Sequence, residues 1–312
     1  MSPAMAMSTA AQPERIGEYR IVRQLSATPT TVSYFGVHLV LPRRAVVKVM
    51  TATTPQIAVR VLREAVFLEA LQHPGIVRCY ESALLPDKRP WFARELVEGS
   101  TLASVFERSA LDRGEVMAIV RDVAEILEHA HRRGIVHGNL RADRIVITGQ
   151  SRNYPLCIVD WSDARTHDAA PLPCVPSAVS WHYTAPEVIH GHGVDDRADV
   201  YTLGVIGYRL LTGAMPYERD ADATTGWTAH VPVQDRCPDA PRELAAIIER
   251  MLSYEPYDRP NSAEICADLD WLLDANDVVP VRIRKPRWTP PITFGAQEVV
   301  SDGLEHDPTK HR

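Results

Sequence analysis

The stretch His137 to Arg144, HGNLRADR, lies between a strongly amphipathic segment and the apolar run IVIT. It has the charged, loop-like character of a catalytic segment, yet the group best placed to act is Asn139. A neutral amide cannot take a proton from a substrate hydroxyl, and loss of a general base alone costs about 10²–10⁴ in rate. The question is whether the chain is an enzyme with altered chemistry or a binding module on an enzyme's frame. Other chemistry-bearing residues are less pointed. His182, His190 and His192 cluster, but HGHGVDD has loop chemistry rather than metal-ligand spacing. The five cysteines (79, 157, 174, 237 and 266) are odd in number and lack CxxC spacing. They read as reduced cytosolic thiols rather than disulfides or a zinc site.

The elements that must position HGNLRADR fall into two blocks. YRIVRQL, VSYFGVHLV, RAVVKVM, IVRCYES and WFARELV are short β-branched or aromatic runs, interrupted by one helical pattern, PQIAVRVLREAVFLEALQ. That helix carries Val61, Ala65, Leu68 and Leu71 on one stripe. After EGSTL the pattern turns helical, with Val116, Ile119, Val120, Val123, Ile126 and Leu127 at helical spacing. Asp112 and Glu115 are placed as a capping box, and Gly134 as a helix stop. DVYTLGVIGYRLLTG is apolar nearly all round and so buried, and PRELAAIIERMLS and SAEICADLDWLLDA follow. The expected class is α+β in two lobes, residues 15–98 and 99–275. Residues 1–14 are expected to be a disordered tail and 276–312 a flexible, proline-containing one with a basic cluster at Arg282, Arg284, Lys285 and Arg287.

At 312 residues with a net charge of -6, the chain lacks the basic excess of a nucleic-acid binder. No apolar run approaches the roughly 20 residues of a membrane span, and the N-terminus does not read as a secretory signal. A cytoplasmic setting is expected.

A sheet block followed by a helical block, with AVVK, HGNLRADR, DWS and APE in that order, resembles the protein-kinase fold. It looks most like the bacterial Ser/Thr kinases related to eukaryotic ones, over roughly residues 16–275. The resemblance implies that Lys48 holds ATP phosphates and is oriented by Glu64, and that Asp160 binds Mg²⁺. A pair of Lys48 and Glu64 that only braces the helix is the equal alternative. Glu187 and Arg259 would form a buried ion pair. The hinge would lie at Glu95 to Val97, with Arg94 at the gatekeeper position.

Several family features are missing. Ser26, Thr28 and Thr31 stand where three glycines would close over phosphates, and Pro29 removes another donor. Asn139 replaces the catalytic Asp, Arg141 the catalytic-loop Lys, and Arg144 the Asn that holds a second Mg²⁺. Gly138 replaces the arginine that reads a phosphorylated activation loop. We expect Arg94 to compete with Lys48 for Glu64 and Arg144 to pair with Asp160. Lys48, Arg94, Arg141 and Arg144 would then face Glu64 and Asp160 across a cleft closed by its own charges. Thr166, Ser177 and Ser180 read as solvated loop residues, and Trp161 and Trp181 as space fillers around DWS.

The sequence thus points to a catalytically inactive pseudokinase, a cytosolic signalling module with weak or absent ATP binding. Its partners would be proteins, such as an active kinase or a phosphothreonine-binding protein that reads Thr289 or Thr293. The alternatives are an active or atypical Ser/Thr kinase and a kinase-fold nucleotidyl or glutamyl transferase, for either of which ATP and Mg²⁺ would be the cofactors.

Overall fold

The computed structural model describes residues 12–51, 55–106, 111–148, 152–167, 181–217 and 230–275. Cys174, Ser177, Ser180, the tail threonines and the tail's basic cluster lie outside them, as does the side chain of Trp181.

An antiparallel six-stranded sheet opens the chain: β1 (Arg15–Ile16), β2 (Tyr19–Ala27), β3 (Thr31–His38), β4 (Arg44–Met50), β5 (Cys79–Leu84) and β6 (Pro90–Glu95), in the order β1-β2-β3-β4-β6-β5. The helix α1 (Pro55–Ala70) connects β4 to β5. Side chains alternate across the pleat, so the sheet has two apolar faces. Ala45, Val47 and Val49 pack with Trp91, Ala93, Tyr19 and Ile21 on one side. Met50 and Phe92, on the other, join Val61, Ala65, Leu68 and Leu71 of α1 in the main core. Every residue of the expected α1 stripe is buried.

The second lobe begins with β7 (Gly99–Thr101), α2 (Leu102–Phe106) and α3 (Arg113–His131). Asp112 and Glu115 form the expected capping box, each side chain accepting from the other residue's backbone N–H at 2.8 and 2.9 Å. Gly134 takes the left-handed conformation, φ 69°, just past the helix end. Next come β8 (Ile135–Val136), β9 (Ile145–Thr148), β10 (Leu156–Ile158) and β11 (Arg165–Thr166). β10, β9 and β7 form one small sheet, and β11 pairs with β8. α4 (Pro186–Ile189), α5 (Asp196–Thr212), α6 (Val233–Arg236), α7 (Arg242–Met251) and α8 (Ser262–Ala275) complete the lobe. α5 is buried over most of its length, as its apolar circumference requires.

One ion pair ties these helices. Arg259 meets both oxygens of Glu187 at 2.7 and 2.8 Å. Its other N–H groups donate to the carbonyls of Ser253, Arg197 and Tyr254. All five guanidinium donors are thus met in a site closed to water. Removing one partner of such a pair leaves an uncompensated buried charge, at a cost of about 3–5 kcal/mol. Urea denaturation of Arg259→Leu is expected to show a loss in that range, and Glu187→Leu/Arg259→Leu a smaller loss than the single variant.

Candidate active site

The functional side chains are set by strand register. Lys48 on β4 lies opposite Phe92 of β6, and Arg94 opposite Val46. With a two-residue repeat, Lys48 and Arg94 share the face turned toward α1. Lys48 Nζ reaches Glu64 Oε2 at 2.6 Å. Burial pushes the Glu64 carboxyl upward, and the Lys48 ammonium opposes it.

The expected competition by Arg94 does not occur. Among the described residues no carboxylate lies within ion-pairing distance of its guanidinium, which is half-buried rather than enclosed. The register is the reason: Arg94 sits one pleat repeat nearer the hinge than the position opposite Lys48. Its charge acts at longer range, lowering the pKa of both Glu64 and Asp160.

A second register places the loop residues. β9 and β10 are antiparallel with Ile145 opposite Ile158, so Arg144 and Asp160 emerge at the same end of the pair. Arg144 Nε lies 3.2 Å from Asp160 Oδ2, the expected ion pair. In the third pairing Arg165 of β11 is opposite Val136 of β8, and continuing it brings Asp163 beside Gly138 and Asn139. Arg144 Nη1 is 3.3 Å from Asp163 Oδ2 and donates to the Asn139 carbonyl at 2.9 Å. Asn139 Nδ2 donates to the same Asp163 oxygen at 2.8 Å. One guanidinium therefore bridges two carboxylates, and the amide at the base position is spent on one of them.

Asp163 was not among the residues singled out in the sequence. Its position three residues after Asp160 was the available signal. Arg141 also departs from expectation. Rather than facing Asp160 or Glu64, it pairs with Asp143 two residues on, its Nε at 2.8 Å from Asp143 Oδ1.

The loop is held from beneath by Asp199 of α5, which accepts from the backbone N–H of His137 and Gly138 at 2.7 and 2.8 Å and meets His131 Nε2 at 2.9 Å. Trp161 is fully buried and stacks at 4.7 Å on His137. Gly138 has φ 73°, and the guanidinium of Arg165 lies over it. Arg165 is buried, with no hydrogen-bond partner at Nε or Nη1. A cation thus lies against the position from which the expected arginine is missing. Thr166 is exposed.

The turn between β2 and β3 satisfies itself. The Thr28 hydroxyl accepts from the N–H of Thr30 and Thr31 at 3.3 and 3.0 Å, and Thr28 N–H donates to the Thr31 carbonyl at 2.8 Å. Thr51 Oγ1 donates to the Pro29 carbonyl at 2.8 Å. Donors that glycines would offer to phosphates are used within the turn, while Ser26 lies in the exposed end of β2, paired with Ser33. At the hinge, Glu95 is bound by Arg152, which also donates to the carbonyls of Pro74 and Ile76 at 2.8 and 2.9 Å. Val97 packs against the main core. Arg152 likewise went unnoticed in the sequence, where nothing distinguishes it from a surface arginine.

Two lobes joined at a strand hinge, a Lys–Glu pair spanning sheet and helix, and a loop anchored on a buried aspartate define a protein-kinase-type cleft. The family model for the protein kinase domain matches residues 32–272. The chain is 33% identical over 257 residues to the serine/threonine-protein kinase Pkn1 of Myxococcus xanthus, covering 78% of this chain and 36% of Pkn1. It is 29% identical over 256 residues to PknJ of Mycobacterium tuberculosis, covering 78% and 43%. With PknA of the same species it is 30% identical over 300 residues, covering 92% and 67%. The chain belongs to the protein kinase domain family, among the bacterial Ser/Thr kinases. It spans between a third and a half of the length of Pkn1 and PknJ.

That family implies ATP with Mg²⁺, and the side chains in this arrangement do not fit the metal. The Asp160 oxygen that would face it is held by Arg144, and a second cation beside that guanidinium would be repelled. Among the described residues no group of three or more His, Cys, Asp or Glu is arranged to hold a metal ion.

Burial pushes the Asp160 carboxyl up, but Arg144, then Lys48 and Arg94, hold it well below the usual carboxylate range. Its folded value being the lower one, its contribution to stability is complete above about pH 4 and is lost as the pH falls further. Arg144→Met is expected to cost about 2 kcal/mol at pH 7, as for a charged hydrogen-bond partner left unmet. Thermal melts across a pH series should show the gap between the two proteins narrowing toward pH 3.

Proposed function

We propose that the chain is a kinase-fold regulatory module in which phosphoryl transfer is disabled at the cleft, and that it acts through protein partners. One observation carries this reading: the Arg144 guanidinium bridges Asp160 and Asp163, where a metal would have to bind. Asn139 supplies no base and donates its amide to Asp163. The self-bonded turn at Thr28 supports the same conclusion from the opposite side of the cleft. Such a module keeps the shape of a kinase and presents it to an active kinase or a phosphothreonine-binding protein. No helix among the described residues is long and apolar enough to cross a membrane, and we place the module in the cytoplasm.

An active or atypical enzyme is the second reading, and it has support of its own. The relatives are named as Ser/Thr protein kinases, and the Lys48–Glu64 pair is closed as phosphate binding requires. In that case ATP and Mg²⁺ would be bound once Arg144 leaves Asp160. Transfer of a nucleotidyl or glutamyl group is a further form of this reading.

Thermal unfolding against millimolar ATP, with Mg²⁺ and with EDTA, separates the readings. A ligand at about 100 times its Kd stabilises by roughly 2.7 kcal/mol. The disabled cleft should give no Mg²⁺-dependent rise in Tm, and no label from γ- or α-labelled ATP should reach the chain or a general protein substrate. Asn139→Asp/Arg144→Asn should gain the Mg²⁺-dependent rise. Incorporation of γ-phosphate by the unaltered chain would establish the kinase, and incorporation of the α-phosphate a nucleotidyl transferase.

A further inference from the structure

The outer face of α1 is apolar and open. Val59, Leu62 and Val66, spaced to share one face of the helix, are 56%, 37% and 63% exposed. Beside them, between α1 and β5, lies a groove of about 450 Å³. Ala65, Val66, Ala70 and Cys79 give it apolar walls, and Glu69 and Glu81 give it acidic ones. Contiguous exposed apolar surface rimmed by charge marks an interaction site.

The chain itself carries a segment of matching chemistry. Beyond Ala275, where α8 ends, come Arg282, Arg284, Lys285 and Arg287, followed closely by Trp288, Ile292 and Phe294. The point of departure also matches. Arg121 of α3 meets Asp270 of α8 at 2.8 Å and pairs with Glu125. Glu125 accepts from the Tyr154 hydroxyl at 3.0 Å, and the Tyr154 ring lies 5.1 Å from that of His73. His73 follows the end of α1 by three residues. These contacts run from α8 to the C-terminal end of α1, so the tail leaves on the groove's side of the molecule. The 13 residues from Ala275 to Trp288 can span about 43 Å when extended.

We propose that the α1–β5 groove is the docking site of the chain's own C-terminal tail, with Trp288, Ile292 and Phe294 meeting its apolar walls and the preceding basic residues meeting Glu69 and Glu81. A tethered segment acts at an effective concentration near millimolar, which favours it over a second copy or a free peptide. Docking there covers the back of the helix that carries Glu64 and holds that helix against β4. The proposal is independent of whether the cleft transfers phosphate.

Hydrogen–deuterium exchange of the full chain tests it, with Trp288→Ala/Phe294→Ala and Val66→Asp as variants. Peptides covering 65–70 and 79–84 should exchange about tenfold faster in both variants than in the unaltered chain, which should remain monomeric by light scattering. The tail variant leaves residues 12–275 unchanged, so it stays informative if Val66→Asp fails to fold. Equal exchange in the unaltered chain and the tail variant would overturn the proposal. Protection that grows with protein concentration, with dimer mass by light scattering, would assign the groove to a second copy and overturn it too.

Discussion

The cleft depends on one side chain, Arg144. Its guanidinium holds Asp160 at 3.2 Å, Asp163 at 3.3 Å and the Asn139 carbonyl at 2.9 Å. Three segments of the second lobe, the loop before β9, the turn after β10 and the strand entry to β11, are thereby tied to one cation. In a kinase-type site a divalent ion performs that tying and also activates phosphate. A guanidinium reproduces the charge and the bridging, but it is fixed to the backbone and presents donors rather than open coordination positions. The fold keeps its internal electrostatic balance at that point while losing the means to assemble Mg²⁺ and phosphate there.

The rest of the frame shows why the shape survives such changes. Asp199 anchors the loop through backbone N–H groups, so the bonds it makes are indifferent to whether position 139 is Asp or Asn. The Glu187–Arg259 pair and its carbonyl acceptors lie on the other side of the helical lobe. The Lys48–Glu64 pair needs only β4, α1 and their apolar packing. Scaffold and chemistry therefore rest on largely separate residues. Phosphoryl-transfer machinery can be replaced at Asn139, Arg141 and Arg144 without disturbing either buried pair.

Much of this was legible in the sequence because it follows from periodicity and order. The alternation in RAVVKVM, the α1 stripe, the capping box at Asp112 and the helix stop at Gly134 are local rules, and each agrees with the structure. Arg144 with Asp160, and Glu187 with Arg259, came from motif order within a recognised family. What could not be read depends on register. Arg94 was expected on Glu64, but its place one repeat beyond Lys48 emerges only when β4 and β6 are aligned. Asp163 became visible only with the β8–β11 pairing, and Arg141 turns to Asp143 because that carboxylate is nearer in the same short turn. The hydroxyl of Thr28 using up the donors of its own turn depends on backbone angles that composition does not reveal.

The most direct test of the central role of Arg144 is electron paramagnetic resonance of Mn²⁺, titrated into the full chain with a non-hydrolysable ATP analogue. The unaltered chain should leave the spectrum as the analogue alone sets it, and Arg144→Asn should draw Mn²⁺ into a protein-bound form. A bound Mn²⁺ signal of equal strength in both proteins would mean that the guanidinium yields its place to metal, and the cleft would have to be regarded as open to catalysis.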